Sequence, residues 1–145
     1  NITWTDAQAA EYFGKDFSAL YFMPDDLSLN GDNKHEVIID KNGNIAKDRC
    51  HFRYDKGYGG CVVTLSVSKT GAPYDYVYAT EDEVGTSQRI TPGVDVSYYM
   101  YAHGKDTVLQ LCVADFEKDG IYYRLEAEYL EFDKFCDILI GIINL

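Results

Sequence analysis

Basic residues are scarce in this chain: 13 lysines and arginines stand against 24 aspartates and glutamates, for a net charge of −11 at pH 7. Binding to nucleic acid needs a basic surface that displaces counterions from phosphate, and no such surface is legible, so that class of function is set aside. Docking directly onto anionic lipid is set aside for the same reason. Long apolar runs are missing too. The longest, near the C-terminus, falls far short of the roughly 20 residues that a membrane-spanning helix needs. There is no internal repeat and no low-complexity linker.

Several catalytic and metal-binding patterns are also absent. The four cysteines include no Cys-x-x-Cys and no neighbouring histidine pair, so a zinc site is not indicated. No nucleophile-elbow glycine pattern surrounds a serine. The three histidines fall in a loop (His35), on the polar face of a strand (His51) and in a turn (His103). Asp25-Asp26 and Glu81-Asp82-Glu83 are adjacent in sequence and therefore splay apart, whereas acid–base work needs two carboxylates facing one bond. The segment Asp40-Lys41-Asn42-Gly43-Asn44 has a hairpin turn's composition. As a calcium loop it would have its glycine misplaced and lack the closing glutamate. Asn30, Asp32 and Asn33 form a similar weak oxygen cluster. The chain is accordingly expected to be no enzyme and to carry no cofactor.

What the sequence does contain is a clear pattern of short elements in a chain of single-domain length, residues 1–145. Thr5-Asp6-Ala7-Gln8 has the signature of a capping box, which predicts a first helix carrying Ala9, Ala10, Tyr12 and Phe13 on its apolar side and ending at Gly14. Period-two alternation then predicts strands from Glu36 onward. Cys50, Phe52 and Tyr54 alternate with Arg49, His51 and Arg53, and Cys61, Val63, Leu65 and Val67 with Val62, Thr64, Ser66 and Ser68. Tyr74 to Ala79 is predicted as a further strand, and Val94, Val96, Tyr98 and Met100 alternate with Asp95, Ser97, Tyr99 and Tyr101.

Thr107 to Leu145 closes the chain with a hairpin and a helix. A three-residue loop, Lys118-Asp119-Gly120, would pair Val113 with Leu125 and Leu111 with Ala127. That register places Leu109, Leu111, Val113, Tyr123, Leu125 and Ala127 under the helix, with Cys112 on the opposite face. Arg124, Glu126 and Glu128 then point outward. After Glu128 the period changes: Phe132, Phe135, Cys136, Leu139, Ile142 and Ile143 form a helical stripe, widened by Ile138 and Ile140. Burying about seven such side chains is worth on the order of 10–15 kcal/mol before entropy is subtracted. The expected fold is therefore α+β: one antiparallel sheet of about seven strands, with an N-terminal helix and a C-terminal amphipathic helix packed on one face.

The cysteines permit three complete pairings. In the predicted register Cys112 and Cys136 lie on different sides, and Cys50 and Cys61 are too far apart along their ladder. Buried free thiols are the favoured state.

The thirteen tyrosines are the most usable hint of function. Tyr76 and Tyr78 would share one strand face, together with Tyr74, and Tyr99 and Tyr101 another; aromatic rows on a sheet can stack sugars or anchor peptides. These four, Tyr76, Tyr78, Tyr99 and Tyr101, are the candidate ligand surface. The chain begins at Asn1 without an initiator methionine, which implies a removed signal or a fragment of a longer protein.

Tyr12-Phe13-Gly14-Lys15-Asp16 followed by Met23-Pro24-Asp25-Asp26-Leu27, with the close Phe116…Asp119-Gly120-Ile121-Tyr122-Tyr123, Phe132 and the isoleucine-rich helix, carries a resemblance. These two ends resemble an uncharacterised family of extracytoplasmic domains from Gram-positive bacteria, secreted, lipid-anchored or single-span, some associated with anti-sigma factors. The resemblance implies a place in the cell envelope or outside the cell, with any membrane attachment through an anchor outside this chain. It implies a sensing or binding role toward an unknown protein or small ligand, and no catalytic residue comes with it. A structural or inhibitory protein–protein module is the alternative. A hydrolytic enzyme is a third, and would need His51 or His103 beside a carboxylate in a pocket.

Overall fold

The computed structural model describes residues 1–30, 34–57, 60–77, 87–91, 94–101 and 108–145, with the backbone alone for 87–91 and 109. The elements run β1 (Ile2–Trp4), α1 (Asp6–Phe13), β2 (Ser28–Leu29), β3 (His35–Ile39), β4 (Ile45–Lys47), β5 (Cys50–Asp55) and β6 (Val62–Ser68). They continue with β7 (Ser87–Thr91), β8 (Val94–Tyr101), β9 (Val108–Leu109), β10 (Leu111–Lys118), β11 (Ile121–Glu128), β12 (Leu130–Glu131) and α2 (Phe132–Ile143). The chain is α+β with antiparallel strands and a helix near each end, as expected. The single sheet is not what forms. β1, β3 and β4 make a separate three-stranded sheet, and β9 pairs with β12 in a two-residue ladder. The main sheet has the order β2-β5-β6-β11-β10-β8-β7, seven strands of which β2, at one edge, is only two residues long.

Local chemistry explains the first helix. Thr5 Oγ1 accepts from the Gln8 amide at 3.3 Å and Gln8 Oε1 accepts from the Thr5 amide at 2.9 Å, so the capping box is closed. Gly14, at φ 73°, donates to the Ala10 carbonyl and ends the helix. The 40–44 turn also forms as read: Asp40 Oδ1 accepts from the amides of Asn42 and Asn44, both at 2.9 Å.

The closing hairpin differs from its expected register by one residue. Lys118 pairs with Ile121, Ala114 with Leu125 and Cys112 with Ala127, so the loop is the two-residue Asp119-Gly120, with φ of 53° and 77°. Positive φ at both central positions matches a type I′ turn, whose twist suits the strands it joins. The shift turns β10 over. Cys112, Ala114 and Phe116 face the helix, while Val113 is buried on the opposite side of the sheet. The expectation that Cys112 lies away from the helix is thereby reversed; all four cysteines are free thiols. In the β5–β6 hairpin Tyr54 pairs with Val63 and Cys50 with Val67.

The core lies between the inner face of the main sheet and a layer made of α1, the 15–27 segment and α2. Across the sheet its central row is Phe52, Leu65, Leu125, Ala114 and Tyr98. The helix contributes Phe135, Ile138, Leu139, Ile142 and Ile143, all buried, whereas Phe132 and Ile140 of the expected stripe are exposed. Lys118 donates to the Ile143 carbonyl, a cation at the helix C-terminus where the dipole favours it. Tyr123 stacks on Phe116 with centroids 4.6 Å apart, and its buried hydroxyl has no hydrogen-bond partner among the described residues.

Phe22 lies across α2 at Gly141, where an added Cβ would fall 2.6 Å from the ring's Cγ. Gly141→Ala is therefore expected to lower stability by about 1–3 kcal/mol from overpacking, against the roughly 1 kcal/mol gain that helix propensity alone would give. Chemical denaturation distinguishes the two, and a more stable variant would show that the ring is not held there.

Buried Asp48 ties this layer to the main sheet. Its Oδ1 accepts from Ser68 Oγ at 2.5 Å, Thr70 Oγ1 at 2.7 Å and the Thr70 amide at 3.3 Å. Its Oδ2 accepts from Tyr12 Oη at 2.7 Å and the Lys69 amide at 2.8 Å. One carboxylate thus joins α1 to the end of β6.

Candidate functional site

The outer face of the main sheet carries the unusual chemistry. Register places His51, Ser66, Arg124, Asp115 and Ser97 in one row across β5, β6, β11, β10 and β8. Arg124 sits at its centre and is 1% exposed. Its Nε and Nη2 donate to Oδ1 and Oδ2 of Asp115, both at 2.7 Å, the paired geometry that a planar guanidinium favours. Burial opposes its charge, but Asp115 more than offsets that and the guanidinium stays fully protonated. Glu126, on the next row, is pushed up by burial, with Arg124 opposing.

What buries Arg124 is the segment 71–77. The Tyr74 ring stacks 3.6 Å over the guanidinium carbon, and Nη1 donates to the Tyr76 carbonyl at 3.0 Å. Arg49 holds the same segment from the other side, donating to Asp75 Oδ1 at 2.6 Å and to the Tyr74 carbonyl at 3.3 Å. Two arginines therefore pin a strap across the sheet. Residues 74–77 form no strand, contrary to expectation; the carbonyls of Tyr74 and Tyr76 accept from arginine side chains instead. Tyr74 and Tyr76 consequently do not form a simple row.

Of the four candidate tyrosines, Tyr76 projects from the strap at 58% exposure, with Val77 beside it at 70%. Tyr99 is half-buried and Tyr101 exposed, both on the outer face of β8, one and two rows from the Arg124 row. Tyr78 lies outside the described residues, as do Asp32, Asn33, Glu81-Asp82-Glu83 and His103. The structure thus places three of the four on one side of the sheet.

Beside this row, at the junction with the three-stranded sheet, a groove of about 370 Å³ is lined by Lys34, His35, Glu36, Ile38, Lys47, Arg49 and His51, with Asn1 at one end. His35 is buried on β3 rather than looped out, its Nε2 2.8 Å from Asp6 Oδ1. His51 Nδ1 lies 2.7 Å from Ser66 Oγ. Crowding by protein pushes the His51 imidazole down, and the neighbouring His35, Arg49 and Lys47 push it further, although one edge of the residue meets solvent. Among the described residues no carboxylate pairs with its other nitrogen, and no three His, Cys, Asp or Glu side chains are grouped to hold a metal.

Sequence reasoning placed Arg124 on the outer face but missed its burial and its pairing with Asp115, and gave Arg49 and Lys47 no role. The available signal was Asp119-Gly120, the dipeptide of a two-residue turn, which puts Asp115 directly opposite Arg124. A second signal was the alternate basic row Lys47, Arg49, His51 and Arg53 in an acidic chain. Comparison of the chain with protein-family models, with curated proteins and with solved structures gave no match.

Proposed function

We propose that this chain is a non-catalytic, extracytoplasmic binding domain of the cell envelope or cell exterior, and that it presents the outer face of its main sheet to a ligand or partner. The observation carrying this is the strap: two arginines, one of them buried, hold Tyr76 and Val77 outward at a fixed place instead of letting them fold into the core. A rigid exposed aromatic loses little entropy on binding and offers a face to a sugar ring or an apolar side chain. Tyr76, Tyr99 and Tyr101, with Tyr78, are the contact residues of this surface. The extracytoplasmic address rests on the resemblance carried by the two ends of the chain.

The test is an amide-resonance titration of the full chain against oligosaccharide and peptide libraries. Resonances of 74–77 and 99–101 are expected to move together, and Tyr76→Ser or Tyr101→Ser should weaken the ligand so found by about tenfold. A ligand that shifts only other faces, or is indifferent to both substitutions, would overturn the assignment.

The alternative, a structural or inhibitory protein–protein module, is favoured by Val108, Tyr129 and Phe132, exposed together around the β9–β12 ladder, with Tyr129 in a left-handed backbone at φ 55°. Light scattering that shows a symmetric assembly, broken by Tyr129→Ser, would support it over the first.

A further inference from the structure

We propose that the groove between the three-stranded sheet and β5 is a second binding site, one that takes a phosphate group. It stands independently of the tyrosine surface. In two adjacent strand segments alternate residues turn to the same side, so Lys34, Glu36 and Ile38 line one wall and Lys47, Arg49 and His51 the other. Register sets Ile38 opposite Lys47 and so closes the groove at that end. Three of the 13 lysines and arginines of a chain with net charge −11 thus converge on one concavity, with Glu36 the one carboxylate among its described lining residues. Concave walls concentrate such a field.

Two of the groove's donors are held in place. Arg49 is fixed by Asp75 and the Tyr74 carbonyl, which use two of its five N–H donors. His51 is fixed by Ser66. In the tautomer in which Ser66 donates to Nδ1, the imidazole proton sits on Nε2 and is a neutral donor beside the cations; in the imidazolium both nitrogens donate. An anion here would be met by Lys34 and Lys47 as mobile charges and by Arg49 and His51 as positioned donors. Glu36 could accept from a hydroxyl on a phosphate monoester. Donors reach the groove from both walls, an arrangement that suits the several acceptor oxygens of a phosphate better than the two of a carboxylate, which is why phosphate is the class assigned.

Burial is the first cause of the depressed His51 value, and His35, Arg49 and Lys47 add to it, as a basic groove would. Among the described residues the charged and titratable groups around it are Lys34, Glu36 and His35 with its partner Asp6 from the β3 side, Asn1 at one end, Lys47 from β4, Arg49 with its partner Asp75, and Arg124 two strands along the row beyond Ser66. A bound dianion would favour the imidazolium, so His51 should titrate at higher pH when phosphate is present.

The experiment is a histidine-resolved NMR titration of the full chain with inorganic phosphate, glycerol phosphate and acetate, at constant ionic strength made up with chloride. Saturable shifts of His51, Lys47 and Arg49 with both phosphates, and an upward move of the His51 titration, are expected. Tighter glycerol phosphate identifies an ester source, and equal binding identifies free phosphate. Lys47→Glu, at an exposed position, should weaken phosphate by about tenfold or more. Arg53→Glu, on the same strand face but outside the groove, should leave binding unchanged, and so should Tyr76→Ser, which separates this site from the tyrosine surface. Linear shifts no larger than those with chloride, acetate binding as tight as phosphate, or full retention in Lys47→Glu would each overturn the proposal.

Discussion

Asp48→Ala is expected to lower the unfolding free energy by about 3–5 kcal/mol in urea denaturation, a large share of what a chain of this size has. The substitution removes one acceptor site that serves five donors: the hydroxyls of Tyr12, Ser68 and Thr70 and the amides of Lys69 and Thr70. Asp48 is fully buried and Ser68 is 1% exposed, so water cannot easily replace what is lost. Asp48→Asn keeps the shape but turns an N–H₂ toward donors, and should fall between wild type and alanine.

The same site governs the response to pH. Burial opposes ionisation of Asp48, but its hydrogen bonds outweigh it and hold the carboxyl below its ordinary 3.8. A carboxylate depressed in the folded state stabilises only while ionised. Its contribution is complete above the unfolded value near 3.8 and is lost as pH falls through the folded value. The Tyr12 phenol is pushed up, by burial first and by its bond to Asp48 next, so its contribution is lost at the alkaline end. Stability measured between pH 2 and 6 should fall more steeply for wild type than for Asp48→Asn. Identical acid slopes would remove Asp48 from this role.

Arg124→Ala is the second substitution with a large expected effect, again about 3–5 kcal/mol, the usual cost of breaking a buried ion pair from one side. It strands Asp115, whose side chain is only 16% exposed, and takes away both the platform under Tyr74 and the donor to the Tyr76 carbonyl. The strap should loosen, which hydrogen exchange at residues 74–77 would report. Arg124→Lys should not rescue it, because an ammonium cannot bond both oxygens of Asp115 while lying flat beneath a ring. Arg124→Met with Asp115→Leu should recover much of the global stability, since an apolar pair often replaces a buried ionic one without loss, yet leave the strap loose. An alanine variant within about 1 kcal/mol of wild type, with exchange at 74–77 unchanged, would show that the strap is held by something else.

The contrast between Arg124 and the capping box shows where the sequence is informative. Thr5 and Gln8 are three residues apart, so chemistry local to the chain decides their bonds, and the helix start, the Gly14 stop and the 40–44 turn are legible without tertiary structure. The inner faces of β5, β6, β8 and β11 are legible for a related reason: each alternates apolar with polar residues, so only one side can face the core.

β10 lacks that contrast. Leu111 and Val113 are apolar on one side and Cys112, Ala114 and Phe116 on the other, and Val113 and Ala114 are both buried. Either face could have met the helix, and a slip of one residue exchanges them. The two-residue turn at Asp119-Gly120 settles it, and in doing so brings Asp115 opposite Arg124. The five donors on Asp48 and the hydrogen bonds that hold Arg124 beneath its strap likewise join residues 9 to 48 positions apart, and the strands separate into sheets by pairings just as remote from local chemistry. The Thr107–Leu145 sequence by itself determined that a hairpin and an amphipathic helix would close the core. Tertiary packing alone decided which face of β10 they share and which arginine lies buried behind it, because partners that distant are chosen by what the folded chain leaves beside them.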